Sequence, residues 1–445
     1  MLHPKLITKF LTAIALFLMA FLTYFNCFNH AFLLDDWTLI VPASFDPYFL
    51  QILGTHTTAV YYRPLLHVLC AVNHELFGNI VSGYHLVNLI IFYLTGLSFY
   101  VLINRLFHRS LLALLAALLF LCHPINGVLV NYKIATGYVF MILASNLSLL
   151  AILRDRSKRS PSIVSAGWFL IALLCHETMA VFPLYLISML MISRQNSLRQ
   201  AVTATAPHLV FLFLYLYQRA LFTSGSAGLI NTVNSTGLSL FDVTALWSQL
   251  IQWYLSQLLV PTQIVLVKDA YLDPTQTVFN NLLFVLIAVG TIGLWKFSKN
   301  NSAARLGLSW FAISFVPVTI ASLCRPEMGA ILQPHWVTFG SLGFFLGLAG
   351  VFESVEKYIW KPLWIALLSI IFSGYILNSF VHNQNWQDQK TYCRHWLKSS
   401  PQNFWANFSL GQCYLNEGNY SLAKIHFLKS VINGTAGSVV WQNLG

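Results

Sequence analysis

Long apolar stretches, separated by short polar or basic connections, recur along this chain from Phe10 to Ile376. An α-helix needs about 20 predominantly apolar residues to cross the hydrocarbon core of a bilayer, and many of the stretches approach that length. The pattern predicts an all-α polytopic bundle. We place about eleven transmembrane spans, near residues 10–26, 84–107, 110–123, 127–153, 163–175, 177–192, 203–221, 278–297, 304–323, 335–352 and 362–381.

Segment 245–267 is the ambiguous one, because its tryptophans and glutamines make it amphipathic and suited to the membrane interface. The basic residues decide how it is interpreted. If this segment does not cross, the basic groups between spans all fall on one side, which the positive-inside rule makes cytoplasmic. These groups are Lys5 and Lys9, Arg105 and Arg109, Arg154 to Arg159, Arg194 and Arg199, Lys296 to Arg305, and Lys357 and Lys361.

Composition agrees with a membrane protein and excludes several other classes. The 445 residues are 57% hydrophobic and 9% charged, with a net charge of +11. Because the basic residues lie mainly in connections between spans, the excess charge does not indicate nucleic-acid binding.

The seven cysteines show no CxxC spacing, so neither a zinc site nor a redox pair is predicted. Phe10–Phe25 is predicted to be a retained helix, since Asn26-Cys27-Phe28-Asn29 is a poor signal-cleavage site.

Two domains follow from this pattern. Residues 1–381 form the transmembrane domain, with large non-cytoplasmic loops at 27–83 and 222–277. Residues 382–445 form a tail in which Leu410, Gly411, Tyr414, Ala423 and Phe427 have the spacing of a tetratricopeptide repeat. A second helix pair is predicted to begin in Val439–Gly445. Because one repeat cannot bury its own face, we expect further repeats and a truncated chain.

Two adjacent carboxylates, Asp35 and Asp36, follow the first span in the sequence Leu33-Leu34-Asp35-Asp36-Trp37. Only 14 residues of the chain are acidic, so an acidic pair at a membrane surface is unusual. One interpretation is a helix cap with a solvated neighbour. The other is a general base, or an acid with its orienting or metal-binding partner, at a membrane–water active site.

Cationic and aromatic residues predicted to lie on the same face are candidates for binding an anionic donor. Arg63 suits bidentate contact with phosphate, or pairs with Glu75 or a lipid headgroup. Lys133 holds a phosphate, or extends its ammonium to the surface. Glu177, next to His176, complements a helix dipole or takes part in binding. The full candidate set is Asp35, Asp36, Arg63, Lys133, His176 and His335, supported by Tyr62, Glu177, Gln333 and Trp336.

Several motifs, in this order, resemble the GT-C superfamily of integral-membrane glycosyltransferases, and within it the transmembrane-and-tetratricopeptide O-mannosyltransferase-like proteins and their bacterial relatives. The resemblance covers most of the chain. It rests on Phe32-Leu33-Leu34-Asp35-Asp36, Tyr62-Arg63-Pro64-Leu65, Tyr84-His85-Leu86-Val87-Asn88, Ala116–Phe120 running into His123-Pro124, His176-Glu177, Gln333-Pro334-His335-Trp336 and Asn385-Trp386-Gln387-Asp388.

The resemblance implies an inverting transfer of a hexose from a polyprenyl- or dolichyl-phosphate donor to a hydroxyl of a protein or glycan acceptor, on the outer or lumenal side. An acid of the first loop would deprotonate the acceptor, with Asp36 favoured slightly over Asp35. Mannose is the family's expectation. Lys133 lacks the acid that often follows it in the family, and His176 replaces the usual lysine, so the donor sugar stays open.

The resemblance leaves open whether Asp35 and Asp36 bind a divalent cation, Mg²⁺ or Mn²⁺. A protein partner is expected at the tetratricopeptide tail, which the predicted topology places on the non-cytoplasmic side. A bacterial inner membrane is favoured over an endoplasmic reticulum. Two alternatives stay open: a transporter of lipid-linked sugars, and a non-catalytic membrane scaffold that presents the repeats.

Overall fold

The computed structural model describes residues 4–40, 62–154, 162–222, 238–262, 264–270, 273, 275–322 and 330–432. The described chain is almost entirely helical. Its α-helices are α1 (Pro4–Tyr24), α2 (Asp36–Leu39), α3 (Pro64–Phe77), α4 (Val81–Phe107), α5 (Ser110–Cys122), α6 (Val128–Asn131), α7 (Thr136–Arg154), α8 (Ile163–Cys175), α9 (Phe182–Ser193), α10 (Leu198–Phe222), α11 (Leu240–Leu259), α12 (Thr277–Phe297), α13 (Ser302–Ser322), α14 (Thr338–Glu356), α15 (Lys361–Asn383), α16 (Gln389–Ser399), α17 (Phe404–Asn416) and α18 (Tyr420–Ile432).

Short 3-10 turns continue or introduce several of these helices. They span Phe25–Cys27, Pro124–Gly127, Lys133–Ala135, Glu177–Val181, Ser298–Asn300, Pro334–Val337 and Gln384–Trp386. One small antiparallel pair of strands interrupts the helical pattern: β1 (Lys268–Ala270) pairs with β2 (Ala330–Leu332), and Lys268 lies opposite Leu332. The all-α prediction is confirmed apart from this pair.

Eight helical segments in the described chain are long and apolar enough to cross a membrane, and the protein is an integral multi-pass membrane protein. The eight are Ile7–Cys27, Val81–Phe107, Lys133–Arg154, Leu198–Phe222, Thr277–Asn300, Ser302–Ser322, Pro334–Glu356 and Lys361–Trp386. A bent pair (Ser110–Cys122 with Pro124–Asn131) and the shorter apolar helices Ile163–Cys175 and Glu177–Ser193 cover the other predicted spans. α11, in the ambiguous region, is not among these segments. The number of crossings stays a prediction.

The bend between α5 and α6 is 57°, and it occurs at His123-Pro124. Proline cannot donate the N–H that would continue the helix. The His123 side chain replaces part of the lost bonding, since its Nδ1 accepts from the Ile125 N–H at 3.2 Å and its Nε2 lies 3.1 Å from the Leu258 carbonyl oxygen. The bend directs the chain into the turn Lys133–Ala135, next to the acidic pair.

Glycines allow α13 and α14 to approach backbone to backbone. A methyl group at Gly307 would lie 2.5 Å from the Gly343 carbonyl oxygen, and one at Gly343 would lie 2.6 Å from the Gly307 carbonyl oxygen. Small residues at such crossings are typical of transmembrane helix packing. This close contact fixes α14, whose N-terminal turn carries His335.

The tail helices α17 and α18 form an antiparallel pair. Their buried side chains include Leu410, Tyr414 and Phe427, and a methyl group at Gly411 would lie 2.7 Å from the Phe427 ring. Gly418 makes the turn between them with a φ of +74°, which favours glycine. The assignment to a tetratricopeptide repeat stays a prediction, and Val439–Gly445 lies outside the described residues.

Helix α16 contacts the segment 264–266, which follows α11. The Tyr392 hydroxyl accepts from the Leu266 N–H at 2.6 Å, and His395 Nε2 lies 3.2 Å from the Ile264 carbonyl oxygen. The loop that carries Asp35 and Asp36 contacts the residues just before α16. The Ala31 N–H donates to the Gln387 carbonyl oxygen at 2.9 Å.

Candidate active site

Asp36 begins α2 and is completely buried. Its Oδ2 accepts from the Leu33 N–H and its Oδ1 accepts from the Ile134 N–H, both at 3.0 Å. Burial raises the pKa of Asp36 to about 6, although the Lys133 ammonium and the two backbone N–H groups lower it. Both carboxylate oxygens of Asp36 are therefore engaged in fastening the first loop to the start of α7.

Lys133 completes this buried arrangement. Its side chain is 0% exposed, its Nζ lies 3.9 Å from Asp36 Oδ2, and it donates to the Ala31 carbonyl oxygen. The ammonium also lies 5.9 Å from the centre of the Phe32 ring. All three contacts belong to the first loop, so Lys133 neutralises and orients that loop.

Asp35, the neighbour of Asp36, has the opposite environment. It is exposed, and the side chain of Tyr132 lies beside it. Leu34, directly before it, has a φ of +49°, a left-handed conformation that is uncommon for a leucine. This backbone reversal lets two consecutive carboxylates face opposite environments, one in the protein interior and one in solvent.

A second cluster is built around an Arg63–Glu177 ion pair. Arg63 Nε and one terminal nitrogen donate to the two carboxylate oxygens of Glu177 at 2.7 and 2.6 Å, a bidentate geometry that fixes the plane of the guanidinium. The two side chains are 15% and 18% exposed. Glu177 is thus the partner of Arg63, rather than Glu75, and it joins α3 to the turn before α9.

Histidine and tyrosine rings surround this ion pair. The Arg63 guanidinium lies 6.0 Å from the centre of the Tyr138 ring, and the Tyr138 ring lies 4.3 Å from both His176 and His335. His176 Nδ1 accepts from the Thr178 N–H at 3.2 Å. Its Nε2 is buried with no hydrogen-bond partner among the described residues.

The other supporting residues frame this cluster. The Tyr62 ring stacks on Phe222 at 5.7 Å, and the Tyr62 carbonyl oxygen accepts from the Tyr215 hydroxyl at 3.0 Å. The Gln333 carbonyl oxygen accepts from the Tyr254 hydroxyl at 2.7 Å. Trp336 is half-buried, with its ring 6.2 Å from His335.

Helix α3 links the two clusters. Arg63 precedes its first residue, and the Asn73 side-chain amide, further along the helix, donates to the Thr136 hydroxyl at the start of α7 at 3.5 Å. Ten residues of helix correspond to about 15 Å at 1.5 Å per residue. The acidic pair and the arginine cluster therefore lie at the same end of the bundle, as the convergence of polar residues on one face predicts.

Two of the predicted roles do not fit the positions of the residues. Asp36, the favoured base, is completely buried and both of its oxygens accept backbone N–H groups, so an acceptor cannot reach it. Lys133 neither extends to the surface nor is accessible to a donor phosphate, because its side chain is 0% exposed. Sequence reasoning missed Tyr132, which is adjacent to Lys133 in the sequence, and Tyr138, which follows Lys133 by five residues.

The acidic pair is a poor fit for a divalent cation. Carboxylate ligands of Mg²⁺ or Mn²⁺ direct their oxygens at one ion. Asp36 is completely buried with an ammonium 3.9 Å from its Oδ2, whereas Asp35 faces solvent, so the two carboxylates do not converge. Among the described residues, no three His, Cys, Asp or Glu side chains are grouped closely enough to hold a metal ion.

Comparison with known proteins adds a limited sequence match. No protein-family model matches the chain. It is 33% identical over 151 residues to the Protein O-mannosyl-transferase tmtc2 of Xenopus laevis. In this stretch the chain resembles the transmembrane-and-tetratricopeptide O-mannosyltransferases. The match covers 32% of this chain and 16% of the relative, so the chain aligns with only a small part of that protein.

A solved structure also shows a partial likeness. The apo oligosaccharyltransferase of Archaeoglobus fulgidus superposes with a TM-score of 0.44 and 13% sequence identity, covering 85% of this chain and 56% of that one. A likeness at this level does not establish a common fold.

Proposed function

We propose that this protein is a membrane glycosyltransferase that transfers a hexose from a polyprenyl-phosphate or dolichyl-phosphate donor to an acceptor hydroxyl. The observation that carries the proposal is an exposed carboxylate, Asp35, held beside a buried Asp36–Lys133 pair. The sequence match to an O-mannosyl-transferase and the arginine–histidine cluster at the same end of the bundle support it.

Asp35 is the proposed general base. A general base must come within hydrogen-bonding distance of the proton that it removes, and Asp35 is the member of the acidic pair that solvent can reach. Asp36 and Lys133 act as positioning residues, because they fix the backbone on both sides of Leu34 and leave Asp35 facing outward. Tyr132 limits the directions that the Asp35 carboxylate can take.

In the proposed reaction, the acceptor oxygen attacks the anomeric carbon of the sugar from the face opposite the phosphate. The bond between that carbon and the phosphate oxygen breaks, and its electron pair stays on the oxygen. The acceptor proton passes to the Asp35 carboxylate. The products are the glycosylated acceptor, with inverted anomeric configuration, and the lipid phosphate monoester.

The leaving phosphate gains negative charge, so a cationic or hydrogen-bonding site should stabilise it. We assign this role to the Arg63 cluster. The Arg63 side chain is 15% exposed while Glu177 fixes the plane of its guanidinium. His176 Nε2 is a buried nitrogen with no partner among the described residues. His335 closes the cluster on the other side of Tyr138.

The side of the membrane, the donor sugar, the acceptor and the protein partner are proposed from the predicted topology and the family resemblance. The site would lie on the non-cytoplasmic side, where a lipid-linked donor rather than a nucleotide sugar is present. Mannose is the first donor sugar to test, and the acceptor would be a protein or glycan hydroxyl. The tail helices would bind a protein partner on the same side, in a bacterial inner membrane.

The test is transfer of radiolabelled mannose or glucose from the matching polyprenyl-phosphate donor to a peptide rich in Ser and Thr, by protein purified into lipid nanodiscs. Transfer with inversion, established by NMR of the product, supports the proposal. Donor movement across a liposome membrane without transfer would favour a transporter. Neither transfer nor movement with any donor would favour a scaffold.

A further inference from the structure

A polar cavity of about 450 Å³ opens at the end of the bundle away from the acidic pair. It lies where α12 ends, through the turn Ser298–Asn300, and α13 begins at Ser302. α13 contains 21 residues, which corresponds to about 30 Å of helix, and its other end packs near the turn that carries His335. The cavity is therefore separate from the proposed active site.

Arg305 is the central feature of this cavity. Its guanidinium lies 3.9 Å from the centre of the Trp295 ring, in a cation–π contact. The Trp295 ring is itself held by a hydrogen bond from its Nε1 to Ser309 Oγ at 3.0 Å. The Arg305 Nε is buried and has no hydrogen-bond partner among the described residues. A buried donor without a partner is costly, so an acceptor oxygen placed in the cavity would stabilise the half-buried Arg305 side chain.

The rest of the lining supplies more positive charge and more hydrogen-bond donors. Lys299 adds a second cation, and Asn300 and Gln195 add side-chain amides. Ser302 lines the cavity at the first turn of α13, where the helix dipole favours an anion. The Asn301 side chain already accepts one N–H of this turn, that of Ala304, at 3.1 Å. None of the residues that line the cavity is acidic.

The same cavity has an apolar edge. Met191 and Ile192, near the end of α9, line it beside the polar residues. Trp295 is 36% exposed, and tryptophan is enriched at the level of the lipid headgroups. Two cations, several donors and an apolar edge at the end of three membrane helices match an amphiphilic anion.

We propose that this cavity binds the phosphate of an anionic phospholipid, with Arg305 and Lys299 contacting the phosphate oxygens and α9 contacting the glycerol and upper acyl chains. The basic connections predict that this end of the bundle faces the cytoplasm, where anionic lipids attract basic residues. The volume of the cavity falls within the usual range for small-ligand sites, about 300–1,000 Å³. The proposal does not depend on the glycosyltransferase activity.

The experiment is native mass spectrometry of the purified full chain, titrated with phosphatidylglycerol and, separately, with phosphatidylcholine. The site variant is Arg305→Gln with Lys299→Gln. The matched control is Lys357→Gln with Lys361→Gln, which removes the same charge from exposed lysines of another connection on the same predicted side. Lys299→Gln alone serves as a second site variant, because Lys299 is exposed and its loss should leave the fold intact.

We expect the site variant to bind phosphatidylglycerol about thirtyfold more weakly, because it removes two basic residues that each attract an anionic lipid surface. Lys299→Gln alone should weaken binding by a smaller factor, and the control should bind like the wild type. Equal losses in the site and control variants would overturn the proposal. Displacement of the lipid by an equal concentration of inorganic phosphate would overturn the lipid assignment and identify a free-anion site.

Discussion

The ammonium nitrogen of Lys133 lies 3.9 Å from the carboxylate of Asp36, and neither side chain is exposed to solvent. Ninety-eight residues of sequence separate Asp36 from Ile134, which also donates to its carboxylate. This contact holds the first loop against the start of α7, so the position of exposed Asp35 depends on a pair that solvent does not reach.

Removing one member of this pair should destabilise the protein strongly. Lys133→Met or Asp36→Asn leaves the other charge buried without its partner, which typically costs about 3–5 kcal/mol. The double variant should recover part of the loss, because it removes both charges. Thermal unfolding in detergent measures the effect, with Lys357→Met at an exposed position as the control. Single variants as stable as the control would show that the pair does not fasten the loop.

Substituting Arg63 by Lys should lower sugar transfer by about tenfold or more. Lysine keeps the charge but cannot form the bidentate, planar contact with Glu177, so the cation would no longer be fixed beside Tyr138 and His176. Steady-state transfer assays measure the change. Arg105→Lys, at the exposed far end of α4, is the control. Unchanged transfer by Arg63→Lys would remove the arginine cluster from the proposed phosphate site.

Gly343→Ala should destabilise the bundle by about 1–3 kcal/mol, the usual cost of overpacking. The added methyl group would lie 2.6 Å from the Gly307 carbonyl oxygen and 2.7 Å from the Phe311 nitrogen, so α13 and α14 would have to separate. Gly374→Ala is the matched control, since a methyl group there would meet nothing within 4 Å. Equal melting temperatures for the two variants would contradict the close helix contact.

His30 should make the protein less stable in acid. Burial, together with the charge of Lys133, lowers the pKa of His30 from 6.5 to about 4. The unfolded chain therefore takes up a proton before the folded protein does, and the stability that neutral His30 contributes is lost as the pH falls from 6.5 to 4.

The measurement for His30 is the melting temperature between pH 7.5 and pH 4 for the wild type and His30→Gln. The difference between the two proteins isolates His30, because Asp36 is common to both and acts with the opposite sign: its raised pKa favours folding at low pH. The variant should lose less stability in acid. Parallel curves for the two proteins would contradict the assignment.

The sequence predicts the helices of this bundle well, because a span in a bilayer must be apolar along its whole length and the pattern can be read locally. The amphipathic segment near 245–267 contains α11, which is not among the long apolar segments of the described chain, because its glutamines lower its hydropathy. The sequence predicts candidate residues for the site, and their membership stays a prediction, but it does not predict which of them pair. Arg63 contacts Glu177, which is 114 residues away in the sequence. No local pattern predicts a pairing between residues so far apart.

The roles of Asp35 and Asp36 also depend on contacts that the sequence does not predict. The two residues have the same chemistry and adjacent positions, so sequence reasoning could rank them only by order. Burial distinguishes them: one carboxylate accepts N–H groups from two segments, and the other faces solvent after the left-handed turn at Leu34. That difference depends on where α7 begins relative to the first loop.

The most direct test compares sugar transfer by Asp35→Asn with transfer by Asp273→Asn, which changes an exposed aspartate in the predicted second outer loop. A general base typically contributes about 10²–10⁴-fold to the rate. We expect Asp35→Asn to lose at least about a hundredfold in kcat with an unchanged melting temperature, while Asp273→Asn behaves like the wild type. An active wild type and an equally active Asp35→Asn variant would contradict the account.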